Sequence, residues 1–232
     1  MALLETRGLC SHYGDLQALF DLSLGLEEGA VTALIGANGA GKSTLIQLLC
    51  GLQPASRGEV FYEGRPVQGL GAERMARLGV AVVPEGRLLF PSLNVEENLR
   101  MGAHCGRRGP WALDSVYALF PVLREFRLRP ATSLSGGQQQ MVSIGRALMA
   151  NPRLLLCDEL SLGLAPVVIE QIYRSLAQLR DQGLSMLIVE QDVGRACRLA
   201  DQVHCLLKGR LTLSGAPEGL SPERIAQAYF GV

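Results

Sequence analysis

Three short segments of this chain bring together residue types able to bind and cut a chain of phosphates. Gly36-Ala37-Asn38-Gly39-Ala40-Gly41-Lys42-Ser43 fits the spacing G-x-x-x-x-G-K-[ST]. Its glycines let backbone N–H groups curl round phosphate oxygens with no Cβ in the way, and the helix that follows adds partial positive charge at its N-terminus. Lys42 has the reach for the β- and γ-phosphates of a nucleoside triphosphate, the Ser43 hydroxyl suits Mg2+, and Thr44 is placed to touch the α-phosphate. The second segment, Leu154-Leu155-Leu156-Cys157-Asp158-Glu159, is an apolar strand ending in two acids. A buried strand delivers a carboxylate rigidly, so Asp158 is assigned to Mg2+ through water and Glu159 to orienting and deprotonating the attacking water. The third, Leu134-Ser135-Gly136-Gly137-Gln138, opens a helix and has the makings of a second anion site: a hydroxyl, unhindered N–H groups and a helix N-terminus.

Each segment needs an element to hold it. Val31–Ile35 reads as the strand feeding the glycine-rich turn, with an apolar helix from about Lys42 to Cys50 behind it. Further strands are expected at Leu19–Leu26, Gly58–Tyr62, Val80–Val83, Met186–Val189 and Val203–Leu207, by their continuous apolar and β-branched character. Ser92 before the acidic run NVEENL resembles a capped helix start. Helices are also expected around Leu113–Phe120, from Gly137 to Ala150, where Asn151-Pro152 stops the chain, and at Pro222–Phe230. Ile169, Ile172, Leu176 and Leu179 share one helical face and read as core. Alternation of strands and helices predicts an α/β fold with a mostly parallel sheet. The organisation expected is one domain over 1–232, with 1–85 and 151–232 as the core and about 86–150 as an inserted helical subdomain.

Composition removes several alternatives. The chain has 232 residues, 48% hydrophobic and 19% charged, which suits a packed globule rather than a disordered chain. Lys+Arg 22 balances Asp+Glu 22, so no net basic field draws it to nucleic acid. Glu5 and Arg7 interrupt the opening residues before a signal-length apolar core can build, and no run approaches the roughly 20 apolar residues that cross a bilayer. A soluble chain that does any membrane work through partners is therefore expected. Cys10, Cys50, Cys105, Cys157, Cys197 and Cys205 are scattered without ligand spacing and read as small core residues. His204 likewise reads as a strand residue rather than a ligand.

The phosphate loop, the Ser135-Gly136-Gly137-Gln138 segment and Asp158-Glu159, in that order, resemble the ATPases of the ABC (ATP-binding cassette) transporters. The resemblance implies a P-loop cassette with an antiparallel N-terminal β subdomain. It implies ATP hydrolysis with Mg2+, held by Ser43, Asp158 and Glu85. Tyr13 matches the aromatic that stacks on adenine, and Ser135–Gln138 matches the signature that meets the γ-phosphate bound to the opposite subunit. Three positions depart from the general pattern. Glu85, in Pro84-Glu85-Gly86-Arg87, stands where glutamine is common, Gln191 where a histidine senses the γ-phosphate, and Ala165 where aspartate is usual. Together with SLGLAP, VEQ, NVEENLRMGA and SGGQQQMVSIGRALM, these are similar to one of the two ATPases of branched-chain amino-acid importers. Urea-importer ATPases share the VEQ glutamine but tend toward PQGR.

That subfamily implies a second ATPase as partner, usually a paralogue with a homodimer left open, two membrane permeases and an external binding protein. It also implies a place on the cytoplasmic face of the membrane. An importer for urea, amides or other amino acids, or a nucleotide-sensing module with weak hydrolysis, are the alternative readings. Gln191 keeps a hydrogen-bond donor but carries no charge, so it is expected to position γ-phosphate or water and leave Glu159 the only base. Leu160 stands where the family has proline; without a fixed φ the turn after the base is expected to loosen.

Overall fold

The computed structural model describes residues 2–231 and contains two sheets. The smaller is antiparallel, in the order β2-β1-β4-β5, built from β1 (Ala2–Tyr13), β2 (Leu16–Glu27), β4 (Arg57–Tyr62) and β5 (Arg65–Pro66). The larger has six strands in the order β10-β9-β3-β8-β7-β6. These are β3 (Val31–Ile35), β6 (Val80–Val83), β7 (Leu154–Asp158), β8 (Ser185–Glu190), β9 (Gln202–Leu207) and β10 (Arg210–Gly215). All its pairings are parallel except that of β10 with β9. The mostly parallel sheet and antiparallel N-terminal sheet are the architecture expected.

The central strands are buried on both faces, which is why they read as unbroken apolar runs. Successive residues divide between two hydrophobic clusters. Ala33, Ile35, Leu155, Cys157, Met186 and Ile188 face one; Leu34, Leu154, Leu156, Leu187 and Val189 face the other. The second cluster is closed by α1 (Lys42–Leu49) and the antiparallel sheet, through Leu45, Ile46, Leu49, Leu22 and Val60. The first is closed by α7 (Pro166–Asp181) and by the run of helices between β6 and β7.

That run contains α3 (Val95–Met101), α4 (Leu113–Leu119), α5 (Pro121–Glu125) and α6 (Gly136–Leu148). Leu99, Val116, Phe120, Leu123 and Ile144 from these helices belong to the same cluster as the sheet residues, so one apolar core runs through both. The cap of α3 is Asn94, two residues beyond Ser92. Its side chain accepts from the Glu97 N–H at 2.8 Å while Glu97 accepts from the Asn94 N–H at 2.8 Å, a reciprocal capping box.

Several elements escaped the sequence pattern. In β1, bulges break the alternation between Thr6 and Leu9 and again before His12. Helix α2 (Ala72–Leu78) buries only Met75, and α8 (Val193–Leu199) only Ala196 and Leu199, too little for a period to show. Strand β10 lies at the sheet edge with β9 as its strand neighbour and buries no residue fully. Helix α9 spans Pro222–Phe230, the range the sequence suggests.

His204 lies buried on β9, its Nδ1 2.8 Å from the Ser214 hydroxyl of β10. Burial holds its imidazole below the ordinary value near 6.5. The folded protein therefore binds fewer protons here than the unfolded chain. The associated stability is present above that ordinary value and is lost as pH falls. Urea unfolding of the parent and of His204→Gln at pH 7 and pH 5 should show the parent losing more of its midpoint on acidification.

Candidate active site

The parallel register sets the site. Ile35 of β3 pairs with Glu190 of β8, and Asp158 of β7 pairs with Val189, so three strand ends present their following loops side by side. The phosphate loop leaves β3, the acids end β7 and Gln191 follows β8. In open parallel sheets this carboxyl edge is where ligands bind. The cleft there encloses about 420 Å³ and is lined by Tyr13, Asn38, Gly39, Gly41–Thr44, Glu85, Glu159 and Gln191, with Leu16, Ala18 and Leu162 beside them.

The loop's glycines are needed where the chain is tight. Gly41, the N-cap of α1, has φ 106°, and a Cβ there would stand 2.8 Å from Leu19 and 3.0 Å from the Ala18 carbonyl. A Cβ on Gly36 would stand 2.4 Å from the Leu206 carbonyl. Ala37 and Ala40 close the turn through the Ala40 N–H to Ala37 carbonyl bond at 3.2 Å, and Ala40 is buried.

Lys42 is 4% exposed, and its ammonium has three partners. It donates to the Gly36 carbonyl at 2.9 Å and the Ala37 carbonyl at 3.1 Å, and it pairs with Glu159 Oε1 at 3.2 Å. Gln191 Nε2 donates to the other Glu159 oxygen at 2.6 Å. The carboxylate is thus gripped from both sides, and Gln191 has a partner the sequence did not suggest: Glu159 itself. A buried ion pair is weak evidence for stability, because desolvation offsets the attraction. At the floor of a cleft it is better evidence for chemistry.

Asp158 lies beneath, accepting from the Ser43 hydroxyl at 3.2 Å. Burial pushes its carboxyl up to about 6; the Ser43 hydrogen bond opposes this, while the Glu159 and Glu85 charges add to it and Lys42 subtracts. This is an oxygen-rich site with excess negative charge, and such donors suit a hard cation. Among the described residues no three His, Cys, Asp or Glu side chains gather closely enough to hold a metal ion alone. A partial protein shell fits Mg2+, which keeps waters and takes further oxygens from substrate phosphates.

Tyr13 closes β1 and is 49% exposed, with its hydroxyl donating to Gln47 Oε1 at 2.9 Å and lying 3.5 Å from the Thr44 hydroxyl. Its hairpin partner Leu16 is 71% exposed beside it. Leu16, Ala18, Gln47 and Leu162 were not legible as site residues, although an apolar Leu16 at a hairpin tip was a signal. Ser135, Gly136, Gly137 and Gln138 do not line this cleft. They start α6, where the Gln138 N–H donates to the Ser135 hydroxyl at 3.4 Å and the Ser135 N–H to Gln138 Oε1 at 3.0 Å.

Residues 19–161, more than half the chain, match the family model described as ABC transporter. A Pseudomonas aeruginosa protein, the high-affinity branched-chain amino acid transport ATP-binding protein BraG, is 45% identical over 95% of this chain and 96% of its own. The probable branched-chain amino acid transport ATP-binding protein LivF of Archaeoglobus fulgidus is 35% identical over 99% of both. Among solved structures, the ADP conformation of MJ1267, an ATP-binding cassette of an ABC transporter, superposes with a TM-score of 0.78. It is 28% identical over 98% of this chain and 94% of its own.

The turn that follows β7 begins with Glu159 at φ 45°, a left-handed conformation uncommon for a residue with a side chain. Leu160, beside it, is 1% exposed and packs into the larger core cluster. The loosening expected from the missing proline has a counterweight: apolar packing anchors the turn where a ring would have fixed φ. Leu160→Ala should cost about 2–4 kcal/mol by leaving a cavity, read from urea unfolding. A loss under about 0.5 kcal/mol, the range of an ordinary surface change, would show that the side chain does not anchor the turn.

Proposed function

Since this chain belongs to the ABC transporter family and hydrolyses ATP as one of its ATP-binding subunits, we propose that it energises the import of branched-chain amino acids. The observation that carries the reading is identity of 45% across nearly the full length with a protein named for that transport. Glu85, Ala165 and Gln191, the departures from the general pattern, agree with it.

In the proposed reaction, ATP lies with its adenine against Tyr13 and its phosphates in the Gly36–Ser43 loop. Glu159 takes a proton from a water molecule as the water oxygen attacks the γ-phosphorus. The bond from that phosphorus to the bridging oxygen breaks, giving ADP and phosphate. Lys42 offsets negative charge on the β- and γ-phosphates, and Gln191 keeps the Glu159 carboxylate turned toward the water. Ser43, Asp158 and Glu85 would hold Mg2+, which when bound would neutralise phosphate charge. The remaining contribution is positioning and preorganised charge.

Ser135–Gln138, away from the cleft, would complete the site of a second ATPase subunit, a paralogue or another copy of this chain. Two ATP molecules would then hold the pair together until hydrolysis. The Glu85 loop is tied to the same helix that Ser135 begins. The Arg87 carbonyl accepts from the Ser143 hydroxyl at 3.1 Å and from Arg146 at 2.9 Å, and the Leu88 carbonyl from Arg146 at 2.8 Å. Nucleotide events sensed at Glu85 would move α6 with it. Leu88 and Phe90, 66% and 42% exposed next to these bonds, offer an apolar surface to permease subunits. Among the described residues no helix is long and apolar enough to cross a membrane. In this proposal two permeases form the path, an external binding protein delivers the solute, and the chain works at the cytoplasmic face.

Two measurements test the reading. Glu159→Gln should lower ATP turnover by about 100-fold or more while ATP binding persists; parental turnover would exclude Glu159 as the base. Purification with the membrane partners, followed by ligand analysis of the associated binding protein, should give leucine, isoleucine or valine. Urea or a short amide would instead assign the chain to a different importer.

A further inference from the structure

Glu190 ends β8 one residue before Gln191 and is 2% exposed. A carboxylate in so dry a place is costly unless donors meet it. Two hydroxyls do. Ser161 donates to Glu190 Oε2 at 2.7 Å, and Tyr173 of α7 donates to Oε1 at 2.8 Å. Burial and the Glu190 charge push the Tyr173 phenol up, so it remains a protonated donor.

The identities of these partners suggest a purpose. Ser161 lies two residues past Glu159, whose backbone is held at φ 45°. Strained conformations persist only where surrounding contacts over-determine them. Here the Glu159 N–H donates to the Val189 carbonyl at 3.0 Å, Leu160 is packed in the core, and Ser161 is tied to Glu190. Three successive residues are thus fixed, two of them to the end of β8. On the other side of Gln191, Asp192 accepts from the Arg195 N–H at 2.8 Å and pairs with its guanidinium at 3.0 Å. That guanidinium lies over the Tyr173 ring at 5.7 Å. The contacts form a chain running from Ser161 through Glu190, Tyr173 and Arg195 to Asp192. Gln191 is flanked by anchored residues, and its 2.6 Å bond to Glu159 spans the two loops so secured.

We propose that Glu190 is a positioning residue for hydrolysis: through Ser161 and Tyr173 it fixes the turn bearing Glu159 against the strand end bearing Gln191. It touches neither nucleotide nor water and acts only through the geometry of the base. The inference rests on the assignment of Glu159 as that base. A buried carboxylate serving stability alone would support folding but would have no particular effect on the chemical step.

Steady-state ATPase assays on the intact chain separate the two. Ser161→Ala removes one hydroxyl from a partly exposed position. It should lower kcat about tenfold, the size of a lost hydrogen bond to a charged group, with KM for ATP within about twofold. Ser161→Thr, which restores the donor, should recover most of the loss. Glu190→Gln should lose at least as much kcat as Ser161→Ala, and the double variant should lose no more than Glu190→Gln alone, because both break the same link. Parental kcat in Ser161→Ala, or a loss that threonine does not rescue and that follows the melting temperature, would overturn the proposal. So would multiplicative losses in the double variant. Glu159→Gln serves as the control. If it is inactive while Ser161→Ala is parental, the positioning role alone is wrong; if it keeps parental turnover, the base assignment falls and the proposal with it.

Discussion

The parallel ladder through β3, β8 and β7 is the constraint on which the site depends. It holds Ile35 opposite Glu190 and Val189 opposite Asp158, so the phosphate loop, the acidic pair and Gln191 emerge at one edge of one sheet. A slip of one residue in any strand would turn its apolar set toward the opposite cluster and carry its terminal side chain away from the cleft. Burial on both faces makes such a slip expensive. The precision of the active site is therefore borrowed from the hydrophobic core beneath it.

Charge is then arranged upon that frame. Lys42 is nearly inaccessible, yet each of its three protons has an oxygen, one of them on Glu159. In the proposed reaction a phosphate chain entering the cleft would compete with Glu159 for this ammonium, so substrate binding and the freedom of the Glu159 carboxylate would be linked by the same cation. Asp158, pushed up to about 6 by burial, lies below with the Ser43 hydroxyl. Such a site gains from a cation arriving with the nucleotide, since that relieves repulsion already present among Asp158, Glu159 and Glu85.

The loop from Glu85 to Phe90 links this charge balance to the helices. Its carbonyls are held by Ser143 and Arg146 on α6, the helix that Ser135 begins. The Arg146 guanidinium, 5.5 Å from the Phe90 ring, also borders the exposed apolar residues. One helix therefore carries Ser135 at its start and, farther along, the Ser143 and Arg146 side chains that hold the Glu85 loop.

Much of this was written in the sequence. Gly36–Ser43 and Asp158-Glu159 pointed toward phosphate chemistry because glycine, lysine and paired acids at those spacings serve few other purposes, and the structure brings Lys42, Ser43, Asp158 and Glu159 into contact; the buried strands declared themselves by unbroken apolar runs. Strand β1 did not, because its bulges spoil the alternation, and neither did α2 or α8, whose short helices bury too few residues. Leu160 illustrates the limit: by type it is a missing proline, and only the structure shows its side chain buried in the core beside Glu159. Glu190, Ser161 and Tyr173 are separated along the chain and carry no motif. The sequence by itself determined which groups can do the chemistry, since that follows from residue type and local spacing. Only the tertiary structure decided which of them meet, because hydrogen bonds such as Gln191 to Glu159 and Ser161 to Glu190 exist solely where the sheet register and the core bring distant strand ends together.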